Sequence, residues 1–148
     1  MDVPSDILTK MERYCAFQER CESEVRKKLC ETPISVAQRD EIIRRLKEND
    51  FLNEQRFVKT FVRSKLHEQW GKLKIRDGLF QKGAEASIVN EQIDSIDDEE
   101  YDAILHAAIE KWKRLHPADA ENRNKILHGL LTKGFEVGEI LKALNKTN

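Results

Sequence analysis

Apolar residues recur three and four positions apart in nine short runs along the chain, and turn-forming residues separate the runs. That spacing predicts helices. Ser5 is placed to cap a first helix carrying Ile7, Leu8, Met11, Tyr14 and Cys15 inward. A second, from about Cys21 to Glu31, turns Val25 and Leu29 to one side and stops at Thr32-Pro33-Ile34. Ser35 opens a third, with Gln38 completing a capping box and Ile42, Ile43 and Leu46 on its apolar face. After Asn49-Asp50 the order begins again. Asn53 caps a helix striped with Phe57, Val58, Phe61, Val62 and Leu66. Trp70-Gly71 breaks it, and a helix with Leu73, Ile75, Leu79 and Phe80 runs to Gly83, placed just past its C-terminus. A helix from about Glu85 follows with Ile88, Val89, Ile93 and Ile96. Asp98 precedes the seventh helix (Tyr101, Ile104, Leu105, Ala108, Ile109, Trp112, Leu115), which His116-Pro117 ends. The eighth carries Ile126, Leu127, Leu130 and Leu131 to Gly134, and the ninth holds Val137, Ile140, Leu141 and Leu144.

The runs repeat in threes. Lys82-Gly83 returns as Lys133-Gly134, 51 positions later, with Leu79 and Leu130 just before each copy; in the first third Leu29 stands in that place and Pro33 replaces the glycine. A period near 50 residues marks a stacked helical array. The expectation is an all-α chain of three tandem three-helix repeats, spanning 1–50, 51–97 and 98–148.

Composition sharpens this picture. Of 148 residues, 36% are charged and 7% aromatic, against about 25% charged in an ordinary domain. So polar a chain covers many helix faces but fills no single large core, as expected where each unit touches only its neighbours. Net charge is −1, yet it is unevenly spread: 53–83 holds eight Lys/Arg and three acids, and 91–148 holds eight and twelve. The middle is basic and the tail acidic, a pattern suited to a charged partner. No stretch approaches the roughly 20 apolar residues of a membrane span, and the start lacks the features of a signal peptide. Cys15, Cys21 and Cys30 are an odd number in one small region, which argues against a disulfide framework, and their spacing is not a zinc pattern. They are expected to be reduced packing residues in a cytoplasmic protein.

Candidate chemistry is thin. His67, His106, His116 and His128 stand apart from one another and from any ligand partner, and the run Asp97–Glu100 suits a helix N-terminus. No phosphate loop, nucleophile elbow or metal signature is present. The expectation is a non-enzymatic protein with no cofactor. Trp70 and Trp112 fit packing roles near helix ends. The feature left for function is the basic middle: Arg56, Lys59 and Arg63 share one helix stripe, and Lys72, Lys74, Arg76 and Lys82 follow on the next helix. Such a surface contacts phosphates, an acidic protein groove, or solvent alone.

The stretch Phe51-Leu52-Asn53-Glu54-Gln55-Arg56-Phe57-Val58, continued by Phe61-Val62-Arg63-Ser64, Gly71, Ile75, Leu79 and Gln81-Lys82-Gly83, resembles the core motif of the RecX family, regulators of the bacterial recombinase RecA. Arg20 to Leu29 is similar to that family's R-S-x-x-E-L-x-x-K-L pattern. Departures are Asn53-Glu54 at a usual Asp pair, Cys21 at a usual Ser and Val25 at a usual Leu. The resemblance implies an elongated, curved array, acting as a monomer, that lies along the groove of the RecA–single-stranded DNA filament and bridges protomers. It would modulate ATP hydrolysis, filament growth and strand exchange. The basic middle supplies the expected partner or DNA contacts, Arg56, Lys59, Arg63, Lys72, Lys74, Arg76 and Lys82, with weak single- or double-stranded DNA binding besides. A direct nucleic-acid-binding module of helix-turn-helix-like units is the alternative, and a helical adaptor with another partner is a third reading.

Overall fold

Short amphipathic runs hold a helix only when their apolar stripes find each other. A computed structural model describes residues 1–146 and shows where these stripes meet. Among the described residues nine α-helices form: α1 (Ser5–Phe17), α2 (Glu22–Leu29), α3 (Val36–Glu48), α4 (Glu54–His67), α5 (Lys72–Gln81), α6 (Ala86–Asp94), α7 (Asp98–Leu115), α8 (Arg123–Thr132) and α9 (Val137–Lys146). The closely packed helix pairs fall within three groups, α1–α3, α4–α6 and α7–α9. The chain is therefore an all-α array of three-helix units in tandem. The expected end of the third unit, 147–148, lies outside the described residues. The surface of 9037 Å² exceeds the roughly 7,800 Å² of a compact monomer of this mass, as an extended array requires.

Local chemistry sets most boundaries. The Gln38 backbone N–H donates to Ser35 Oγ at 3.1 Å and the Ser35 N–H to the Gln38 side chain at 3.0 Å. The Asn53 side chain accepts from the Arg56 N–H at 2.9 Å. Two starts differ from expectation. Ser5 lies inside α1, and Pro4 at the cap offers only its carbonyl, to the Leu8 N–H. Asp97 caps α7, one residue before the expected Asp98, and accepts from the Glu100 N–H at 3.0 Å.

Burial also trims the stripes. Leu73, Phe80, Leu131, Val137 and Leu141 stay 36–48% exposed, because helices of about ten residues against two neighbours bury few positions each, and Leu115, at the end of the 18-residue α7, is 67% exposed. Cys30 is exposed, not packed, whereas Cys15 and Cys21 are buried; burial pushes the Cys15 thiol up to about 11.

The core has two parts. Met11, Cys15, Val25, Leu29, Ile34, Ile42, Ile43 and Leu46 of the first unit form one cluster with Leu52 of the connection that follows it. A second runs without a break through units two and three, from Phe57 to Leu144, and takes in Cys21 from the first unit.

The recurring Lys-Gly pair makes the joints. Both glycines hold left-handed backbone, φ 81° at Gly83 and 96° at Gly134, as a helix C-terminus favours. At the second joint the α8–α9 turn meets the start of α5. The Gly71 N–H donates to Lys133 O at 2.7 Å and the Leu73 N–H to Gly134 O at 3.1 Å. The Lys72 N–H donates to the Tyr101 hydroxyl at 2.9 Å. The α5 N-terminus is thus capped by the following unit. At the first joint the α5–α6 turn meets α2, where Ser23 Oγ donates to Lys82 O at 2.9 Å.

Candidate functional site: cations along the joints

The seven basic residues singled out in the sequence do not form one continuous stripe. Arg56 is half-buried and tied to Glu19 (2.5 Å) and Asp50 (3.0 Å), across the first joint. Arg63 pairs with Glu100 of the third unit at 2.5 Å. Lys82 approaches Glu24 of the first unit at 3.7 Å. These three bridge units, so reversing Arg56, Lys59 and Arg63 together would remove ion pairs that cross both joints as well as alter the surface. Lys59 is exposed beside Arg63, in a shallow groove that Gln92, Ser95 and Asp97 also line. Lys72 lies over the Tyr101 ring (4.5 Å) and Lys74 over the Trp70 ring (4.2 Å), so neighbouring lysines of α5 turn to different aromatics. Arg76 is half-buried, and its Nε is buried without a partner.

The structure gathers a different group, around Trp70. Gln69 takes left-handed backbone (φ 63°) at the end of α4, so the chain reverses and the Trp70 N–H donates back to Lys65 O at 2.9 Å. The indole meets Phe61 edge-on at 6.4 Å. Lys65 and Lys74 flank it at 4.5 and 4.2 Å, within cation–π range. Lys133, from the α8–α9 turn, donates to Glu68 O at 3.1 Å. Burial holds the Lys133 ammonium below its usual range, with repulsion from Lys74 and Lys111 adding to the effect. Glu68 is the neighbouring carboxylate, and it pairs with Lys65 at 2.9 Å. Cations drawn from α4, α5, α7 and the α8–α9 turn therefore outnumber the acid among them. The charge at this surface is net positive.

Sequence reasoning named Lys74 here but not Lys65, Lys111 or Lys133. Lys133 stands 65 positions from Glu68, and only the docking of the third unit joins them. Its membership in the repeated Lys-Gly pair is the one signal that marked it.

Other chemistry is sparse. Burial pushes the Tyr101 hydroxyl well above the usual tyrosine range, so it stays protonated while accepting from Lys72. His116 stacks on Trp112 at 4.1 Å, and His106 faces Asp102 at 3.6 Å. Both tryptophans pack against the shared core. Among the described residues no three His, Cys, Asp or Glu converge as a metal site, and no helix is long and apolar enough to cross a membrane.

Comparison with known proteins places this arrangement. Residues 53–91 match the model of the second three-helix domain of RecX, and 97–144 that of the third. The chain is 28% identical over 138 residues to regulatory protein RecX of Clostridium acetobutylicum, covering 87% of this chain and 64% of that one. It is 31% identical over 108 residues to regulatory protein RecX of Caldanaerobacter subterraneus subsp. tengcongensis, covering 72% and 53%. The chain thus spans between half and two-thirds of the length of these relatives. The crystal structure of RecX from Lactobacillus salivarius superposes with a TM-score of 0.79 at 25% identity, covering 97% of both chains. Another crystal structure of regulatory protein RecX shares the fold at a TM-score of 0.84, covering 95% of this chain and 72% of that one.

Proposed function

From a chain that belongs to the RecX family, we propose a non-enzymatic regulator, in the cytoplasm, of the RecA recombinase, seated along the groove of the RecA–single-stranded DNA filament. The observation that carries this reading is the array of like units with its cations collected at the joints. A long ligand touching several filament subunits gains affinity by linking weak contacts at high effective concentration, and it favours assembled filament over free subunits. Bound so, it slows ATP hydrolysis, filament growth and strand exchange by steric and electrostatic means, with no group transferred. Exposed Lys59, and Lys72, Lys74 and Arg76 of α5, supply direct contacts together with Lys65 and Lys133. Arg56, Arg63 and Lys82 act through the joints that set the array's shape.

The test is binding to RecA filaments on single-stranded DNA, beside bare DNA, with ATP hydrolysis followed in the same samples. Filament-dependent binding and slowed hydrolysis are expected. The Lys59→Glu/Lys74→Glu variant is expected to weaken filament binding at least about tenfold, each reversed contact costing on the order of 1 kcal/mol, with helical content unchanged. The lysines around Trp70 favour a second reading, direct nucleic-acid binding. Equal affinity for bare DNA, falling steeply with salt, would establish that reading instead.

A further inference from the structure

We propose that the first unit is a hinged arm, swinging at the first joint against a rigid body formed by units two and three. The two joints are built differently from the same turn. At the second, backbone meets backbone: a Cβ on Gly71 would sit 2.2 Å from the Gly134 carbonyl carbon, and one on Gly134 would sit 2.4 Å from Lys74 Cβ. The shared core runs straight through. At the first, the same turn stands off, and a Cβ on Gly83 would meet nothing within 4 Å. An open cavity of about 670 Å³ lies there, lined by Arg20, Cys21, Ser23, Leu52, Lys82 and Gly83 among others.

What spans the first joint is side-chain chemistry: Ser23 to Lys82 O, Lys82 to Glu24, and Arg56 to Glu19 and Asp50. These pairs are half-buried, with Asp50 alone well exposed, and solvent and salt at the rim weaken them relative to a packed core. The closed clasp also leaves Glu19 Oε2 buried without a partner, and opening would let water reach it. Cys21 is the apolar plug, the one first-unit residue in the shared cluster of described residues. The connecting chain belongs to the arm. Asp50 takes left-handed backbone (φ 62°), and the Phe51 and Leu52 N–H groups both donate to Leu46 O. A swing at this joint breaks no backbone bond within either body. Such an arm lets one chain follow partner surfaces of different curvature, and that consequence rests on the filament reading above.

The hinge itself is tested on the free, full chain, so its failure is separate from failure of that reading. Distances between paired spin labels are measured by pulsed electron resonance. One pair joins native, exposed Cys30 to Glu110→Cys, across both joints; the other, in Cys30→Ser, joins Asn90→Cys to Glu110→Cys, across the second alone. A distribution at least twice as wide for the first pair is expected. It should widen further as salt rises from about 0.05 to about 0.5 M, and in Arg56→Gln, while the second pair stays fixed. Equal widths for the two pairs, unmoved by salt, would overturn the proposal, and the salt series needs no variant whose folding is in question.

Discussion

Gly71 and Gly83 show how one residue type serves two different needs. Gly71 has ordinary backbone (φ −78°) and is confined by contact alone, its hydrogen facing the Gly134 carbonyl. Gly83 has space around it and is confined by its left-handed φ. Alanine at position 71 must push one backbone away from another, so Gly71→Ala is expected to cost about 3 kcal/mol and to free the Gly71 and Leu73 amides for hydrogen exchange. Gly83→Ala strains one residue only and should cost about 1 kcal/mol, with the joints intact. Chemical denaturation with site-resolved exchange separates them; equal losses in the two variants would contradict the close approach.

At the scale of elements, the third helices of the units can be laid against one another from their caps. Four residues past the cap, α6 carries Val89 and α9 carries Ile140, both fully buried. In α3 that place, counted from Ser35, is held by Arg39, half-buried, with its Nε shut away from any partner and its terminal nitrogen 3.6 Å from Cys30 Sγ. An unsatisfied buried donor costs about 1–3 kcal/mol. Arg39→Val is therefore expected to stabilise the chain by about 1 kcal/mol, read as a rise in the thermal midpoint of the first unit. A fall would mean that the arginine stem packs better than valine could.

Across the whole molecule, two core clusters imply two cooperative bodies. Leu46 is fully buried in the first cluster and Leu105 almost fully in the second, and truncating either to alanine should cost about 2–5 kcal/mol. Leu46→Ala is expected to speed exchange of protected amides in α1–α3 alone. Leu105→Ala should speed those of α4–α9 together, because units two and three share one core. Uniform acceleration along the whole chain in both variants would show a single body.

What the sequence by itself determined is local: periodicity set nine helices, Ser35-Gln38 and Asn53 set their starts, and Gly83 and Gly134 their ends. Those signals act within one helical turn, so they are written where they act. The family was legible for the same reason, since its motif is largely this capping and packing chemistry. Tertiary structure decided the rest. Whether Arg56 is a surface cation or half of a clasp depends on Glu19, 37 positions away, and whether Lys133 stands beside Trp70 depends on how the third unit docks. The Lys-Gly repeat showed that something recurs. Only the packed array reveals that it is a joint, closed against Gly71 and open beside Ser23, because that difference lies in the distance between two backbones and not in either turn.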